Sequence, residues 1–399
     1  MQNVHVQGWV AAGFEEVEKE FVRNFTTRNE TGAACAVYVR GMKVVDLWGG
    51  VADPYRRTPW EEHTMVPVFS STKGFAALAG ALAVSRGLLD YDEKVCTYWP
   101  EFAVHGKEDI SVRQLLSHQA GLCTLDTLQL EKFDDLDTAQ VAPKLAQLKP
   151  EWTPGTMHGY HAWTLGWYIG ELIRRVDSRG RSLGRFFQEE IANPLGAEFF
   201  IGLPKDVPDT RLAQVRGINS PVQLLKHLRG IPFSMLLAFM NPRSLTARSM
   251  VDPKRLVAND HFNRREMLAI EFPSGNGIGE VRAMACIYGE FAAGGKQLKL
   301  SEAAKQALEA PPKLPSTGAY DHVNRTKLAY SVGLWKPIEG HKFSSSHRAY
   351  GHPGAGGSFC YADPDYELGY AYGLNVIGGY MDNNPRENAV RQAVYRCLK

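Results

Sequence analysis

Ser70 and Lys73 stand three residues apart in FSSTKGFAALAG, residues 69–80, at the predicted start of an alanine-rich helix. Residues at that spacing are neighbours on a helix, so the hydroxyl and the amine meet. A serine is a poor nucleophile until a nearby base takes its proton, and a lysine beside it is one candidate for that work. The same residues also read as an N-cap serine, Ser70 or Ser71, followed by a solvated first-turn lysine. An S-x-x-K spacing is too common to choose between the two.

Three further stretches bear on the choice. WTPGTMHGYHAWTLGWYIGE (152–171) places Tyr160 at a helix start just after a tight turn, and ISVRQLLSHQAGL (110–122) and AYGHPGAGGSFCYADP (349–364) complete the set. With FSSTKG, the DLWGGVAD hairpin end and GNGIG, they follow an order that resembles the serine β-lactamase/penicillin-binding-protein superfamily over nearly the whole chain. The nearest likeness is to the class C-like esterases called family VIII carboxylesterases. That resemblance implies a β-lactamase/transpeptidase-like fold with Ser70 as nucleophile, Lys73 as its neighbour and Tyr160 as the tyrosine of a Y-x-N-like motif. It also implies an oxyanion hole made by the amides of Ser70 and Ala355.

Lysine and tyrosine both titrate at about 10, too high for a base near neutrality. Burial lowers the lysine value, and a neighbouring ammonium lowers the tyrosine value. The sequence leaves either as the base. Two departures from the β-lactamase pattern shape the substrate. Tyr160-His161-Ala162 ends in a methyl group that donates nothing to a lactam amide, with His161 next door as a further contact or a structural residue. His352-Pro353-Gly354 stands where the relatives carry Lys-Thr/Ser-Gly, so a mostly neutral imidazole replaces a fixed cation. Both favour neutral esters, with His352 and Gly354 against the substrate. Gly354, Gly356 and Gly357 allow close backbone approach and positive φ. His118 is expected to tie a helix end to a backbone carbonyl.

The expected reaction is hydrolysis of a small carboxylic ester through a Ser70 acyl-enzyme. Transfer of the acyl group to an alcohol or amine, weak β-lactam or peptide cleavage, and a non-catalytic scaffold are the alternatives. No G-x-S-x-G elbow, phosphate loop, H-E-x-x-H or clustered His/Cys spacing occurs, so no metal or cofactor is expected. A net charge of +2 and no basic run give no field for nucleic acid. No apolar stretch is long enough to span a bilayer, and six scattered cysteines without C-x-x-C spacing read as reduced thiols. The N-terminus shows no signal-peptide pattern, so the expected compartment is the cytoplasm. No oligomeric state is specified.

The elements that must position these residues follow from period and punctuation. Helices are expected at 13–27, 72–86, 111–117, 161–176, 182–191, from Gly279 to Gly294, after Ser301, and at 385–398. Hairpins are expected at 33–53, turning at Arg40-Gly41-Met42, and at 358–377, turning at Asp363-Pro364-Asp365. Strands are expected at 199–204 and 327–335, the latter with Leu328, Tyr330, Val332 and Leu334 on one face. Strands at both ends with helices between them predict an α/β domain, 1–68 and 270–399, whose antiparallel sheet is built from both termini and flanked by helices. A mostly helical domain, 69–269, is inserted in it. Within 217–245, IPFSMLLAFM reads either as a buried helix or as an apolar wall or lid, with Leu236 and Leu237 on the substrate.

Overall fold

The computed structural model describes residues 5–217, 231–251, 259–380 and 383–399. The chain opens with an edge strand, Val6–Val10 (β1), a helix, Glu15–Thr27 (α1), and a hairpin, Gly32–Val39 (β2) with Met42–Asp53 (β3). Arg40 and Gly41 turn that hairpin with φ of 51° and 76°. Two left-handed residues form the short turn whose twist suits paired strands. The helices Ser71–Ser85 (α2), Thr164–Val176 (α3), Phe233–Met240 (α4), Leu245–Met250 (α5) and Val281–Ala292 (α6) come next among those that matter for the site. The remaining sheet strands are Tyr330–Ser331 (β4), Leu334–Trp335 (β5), Tyr350–Pro353 (β6), Phe359–Asp363 (β7) and Leu368–Leu374 (β8), and Pro385–Cys397 (α7) closes the chain. The strand order is β1-β3-β2-β8-β7-β6-β5-β4, antiparallel throughout, with Thr58–Pro59 paired to β3.

A period of two divides the sheet into a small face and a large one. Ala34 and Ala36 of β2, Cys360 and Ala362 of β7 and Ala371 of β8 pack with α6 and α2. Cys35 and Val37, Phe359 and Tyr361, and Tyr370 and Tyr372 point the other way, against Val17 and Phe21 of α1 and Val390 and Val394 of α7. The small face lets α6 lie almost on the backbone. A methyl group added at Gly369 would stand 2.1 Å from the Gly289 nitrogen and 2.3 Å from the Ala285 oxygen. Against that face α2 is buried from Ser71 to Ala83, including Lys73, which explains its run of alanines.

Most expected elements are present, and the differences have local causes. The expected strand 327–335 is instead a tight hairpin, β4 and β5. Val332 and Gly333 take φ of 46° and 93°, so the alternation crosses a turn. The helix expected from 161 begins at Thr164, because Tyr160 to Ala162 form a turn closed by Ala162 N donating to Tyr160 O at 3.0 Å. The strand expected at 199–204 is only Phe199–Phe200 and lies in a second small sheet with Val66–Pro67 and Ile278–Gly279. The 183–192 helix widens to a π-turn at Gln188–Ala192. β1 and the helix Thr138–Ala146 were not foreseen.

The buried-helix reading of IPFSMLLAFM is overturned. In α4 only Met235 and Ala238 are buried, while Phe233, Leu237 and Met240 are 74%, 52% and 81% exposed. The rest of the segment, 218–230, lies outside the described residues. All six cysteines are free thiols, and no described helix is long and apolar enough to cross a membrane.

Replacing Gly369 by alanine tests the packing of α6 on the sheet. Overpacking of this kind costs about 1–3 kcal/mol, so Gly369→Ala is expected to lower the urea midpoint at unchanged slope. An unchanged midpoint would mean that α6 does not lie this close to β8.

Candidate active site

Ser70 ends the turn that leads into α2, and the residue before it is in an unusual conformation. Phe69 has φ of +50°, in the left-handed region that an aromatic residue rarely enters and that costs of order 1–3 kcal/mol. Several contacts hold it there. Its ring packs on Phe262 with centroids 4.5 Å apart, and its carbonyl accepts from the Thr72 hydroxyl. The flanking Val68 donates its amide to Gly277 O at 2.9 Å and accepts from the Ser358 hydroxyl at 2.9 Å. This turn leaves Ser70 partly exposed and buries Ser71, whose hydroxyl lies 3.3 Å from that of Ser358. The two adjacent serines are thereby separated into one accessible hydroxyl and one packed one.

Lys73 lies one turn further along α2 and is wholly buried. Its Nζ donates to Ser70 Oγ at 3.1 Å and to the Ser274 carbonyl at 2.6 Å. Burial alone pushes the amine well below the ordinary lysine value. Ser274 is itself pinned, its hydroxyl accepting from Gly166 N at 2.8 Å and donating to Trp163 O.

Tyr160 completes the group. Its ring centroid lies 5.1 Å from Lys73 Nζ, and its hydroxyl interacts with Ser70. Burial pushes the phenol up, and the Ser70 contact only partly opposes this. The lowering of Tyr160 expected from sequence is therefore not found, because burial is the largest effect on the phenol. Tyr160 is held from behind. Its amide donates to Asp321 Oδ1 at 3.3 Å, and its ring stacks on Tyr330 at 6.2 Å and 15°. Tyr330 donates its hydroxyl to the other Asp321 oxygen. Asp321 and Tyr330 were not singled out from sequence, and no local spacing marks them.

The histidines take separate parts. His161 is fully buried, with Nε2 accepting from Leu122 N at 3.1 Å and Nδ1 donating to Gly159 O at 2.7 Å. No ring nitrogen is left for a substrate, so its place among the substrate contacts is corrected to a loop staple. His118 accepts from His161 N at 2.9 Å through Nδ1 rather than donating to a carbonyl. Its ring packs on the Tyr330 ring, with centroids 4.3 Å apart and planes at 68°. His352 lies in β6 between Tyr160 and Trp335, each ring centroid 5.9 Å away. Its Nδ1 bonds to Pro353 O at 2.6 Å, and its buried Nε2 has no partner. Burial first, then Lys73, holds the imidazole well below its ordinary value, so it is neutral.

The Gly-rich loop lies against the turn that carries Ser70. A Cβ at Gly354 would stand 2.2 Å from both Val68 O and Ser358 Oγ. The left-handed residues are Gly356 and Gly357, not Gly354. The amides of Ser70 and Ala355 donate to no acceptor among the described residues. Leu236 and Leu237 lie on α4, with Leu237 turned to solvent and Ser234 of the same helix donating to Arg325 O at 3.4 Å. Among the described residues one trio could bring metal-ligand types together, His63, Glu198 and Glu280. Arg211 occupies it, donating to Glu198 at 2.7 Å and to Glu280 at 2.8 Å.

Known proteins are similar to nearly the whole chain. A crystal structure of a family VIII carboxylesterase superimposes with a TM-score of 0.86 at 33% identity, covering 98% of this chain and all 100% of the other. A penicillin-binding-protein homologue from Caulobacter crescentus does so with a TM-score of 0.86 at 31% identity, covering 98% and 100%. The esterase/beta-lactamase LipL of Mycobacterium tuberculosis is 31% identical over 374 residues, 90% of this chain and 80% of its own. The Beta-lactamase family model matches residues 15–395, and the chain belongs to the β-lactamase family.

Proposed function

We propose that the protein is a serine hydrolase of small, neutral carboxylic esters, acting through an acyl-enzyme on Ser70. The observation that carries this reading is the buried Lys73 amine, 3.1 Å from Ser70 Oγ and disfavoured as an ammonium. Ser70 Oγ attacks the ester carbonyl while its proton passes to Lys73 Nζ. The oxyanion forms between the free amides of Ser70 and Ala355. As the intermediate collapses, the alkoxide leaves with a proton from Lys73 or from the Tyr160 phenol, which its surroundings keep protonated. Water then enters by the same proton path and releases the acid. The family VIII carboxylesterase and LipL, named above, support the esterase assignment.

The test is direct. Ser70→Ala is expected to abolish hydrolysis of p-nitrophenyl acetate and butyrate, and to abolish a serine adduct seen by mass. Ser71→Ala is expected to leave most of the activity, because the Ser71 hydroxyl only packs on Ser358. Equal loss in both would reject Ser70 as the nucleophile.

The base assignment gives a pH dependence. Protonation of Lys73 removes the base, so kcat/KM is expected to fall as pH drops through the lowered lysine value. Lys73→Ala is expected to cost at least about 100-fold and to abolish that acid limb. Tyr160→Phe should cost a comparable factor, and the double variant little more than either, since both serve one proton path. Simple additivity would break the shared path.

A neutral His352 disfavours anionic β-lactams, which would meet no fixed cation there. His352→Lys is expected to tighten inhibition of ester hydrolysis by a cephalosporin roughly fivefold, the worth of a partly screened ion pair of about 1 kcal/mol. Acidifying the unmodified enzyme to pH 6 should not mimic this, because the imidazole is held well below its usual range. Unchanged inhibition by the lysine variant would show that position 352 does not face the substrate.

A further inference from the structure

The turn that carries the Ala355 amide is gripped from the far side of the sheet. Gly357 N donates to Gly354 O at 3.2 Å, closing a turn in which Gly356 has φ of +88°. The Gly356 carbonyl accepts from three donors, Gly378 N at 3.0 Å, Asn384 Nδ2 at 3.1 Å and Arg386 Nη2 at 3.3 Å. The peptide after Gly356 is thus fixed at both ends, and the turn with it. Arg386 is itself anchored. Nη1 pairs with Glu30 Oε1 at 2.9 Å and donates to Val376 O at 3.2 Å, while Nε donates to Asn384 Oδ1 at 3.2 Å. The Glu30 side chain is 0% exposed, and its second oxygen accepts from the Tyr372 hydroxyl at 2.6 Å.

We propose that Arg386, anchored by Glu30, and Asn384 are positioning residues for the oxyanion hole. They hold the Gly356 carbonyl so that the Ala355 amide keeps one direction while substrate binds and reacts. The proposal rests on the functional reading above. A buried ion pair on its own is weak evidence for stability, since apolar residues often do as well. Here the guanidinium and the carboxamide converge on a single loop carbonyl, one residue from an exposed backbone amide with no internal acceptor. A glycine at positive φ gives that loop no stiffness of its own. A hydrogen-bond donor acts on the transition state only if it is already aimed when charge develops.

Two variants test this without emptying the cluster. Arg386→Lys keeps the positive charge beside Glu30 but removes the planar fork that reaches both Glu30 and Gly356. Asn384→Asp keeps the N-cap of α7 and gains a charge facing Arg386, while setting an oxygen against the Gly356 carbonyl. The readouts are kcat and KM for p-nitrophenyl butyrate, and the inhibition constant of an alkylboronic acid, whose tetrahedral adduct on Ser70 places an oxygen in the hole. Each folded variant is expected to lose about tenfold or more in kcat with KM within about twofold. The boronate should weaken by the same factor. Unchanged kcat in either folded variant overturns the proposal, as does a loss in kcat that boronate affinity does not follow. If one variant fails to fold, the other decides. An unmodified protein that hydrolyses no ester and takes no adduct on Ser70 overturns the functional reading instead, a separate signal.

Discussion

An amine buried with no carboxylate beside it among the described residues sets the terms for the rest of the site. Lys73 has two hydrogen-bond acceptors, Ser70 Oγ and the Ser274 carbonyl, and an aromatic ring beside it. Taking an ammonium out of water costs several kcal/mol in a protein interior. Neutral acceptors at this count do not offset that cost, so the charged form is penalised, which is what the proposed base requires. The alanines of α2 and the small face of the sheet follow from this demand, because they bring packed, dry backbone close around the amine. Ser274 follows from it too. Its hydroxyl is spent on Gly166 and Trp163, which fixes the carbonyl that Lys73 needs.

The same dryness explains the neighbours. Tyr160 and His352 both face the amine, and both are driven toward their neutral forms by burial. Burial thus disfavours the charged form of all three groups, the amine, the phenol and the imidazole. Nearby, Asp321 accepts at its carboxyl oxygens from the Tyr330 hydroxyl and the amides of Tyr160, Val323 and Asn324. It orients Tyr160 through the backbone and the stacked ring.

What was legible in the sequence was local. Ser70 and Lys73 share one helical turn, and Tyr160 follows a turn marked by Pro154 and Gly155, but spacing left them open to a structural reading and the family resemblance joined them. The supports were not legible, because each lies far along the chain. Asp321 is 161 residues from Tyr160, Ser274 is 201 from Lys73 and Glu30 is 356 from Arg386. No period or punctuation records such pairs. His161 misled because its residue type fits chemistry, while its two backbone bonds appear only in three dimensions. The 327–335 stretch misled for another reason. Hydrophobic alternation continues through Val332, and only the backbone shows that the chain reverses there.

Gly354 has no room for a side chain where its loop meets the turn that carries Ser70. With a Cβ excluded by Val68 O and Ser358 Oγ, the loop backbone rests directly on the turn that presents Ser70. Gly354 N donates to Ser358 O at 2.8 Å, and the Ser358 hydroxyl returns to Val68 O at 2.9 Å. The turn that carries Ser70 and the Ala355 turn are therefore joined through backbone and the Ser358 hydroxyl. A side chain at 354 has no room between the two turns, whereas residue 355 is exposed and leaves room for one.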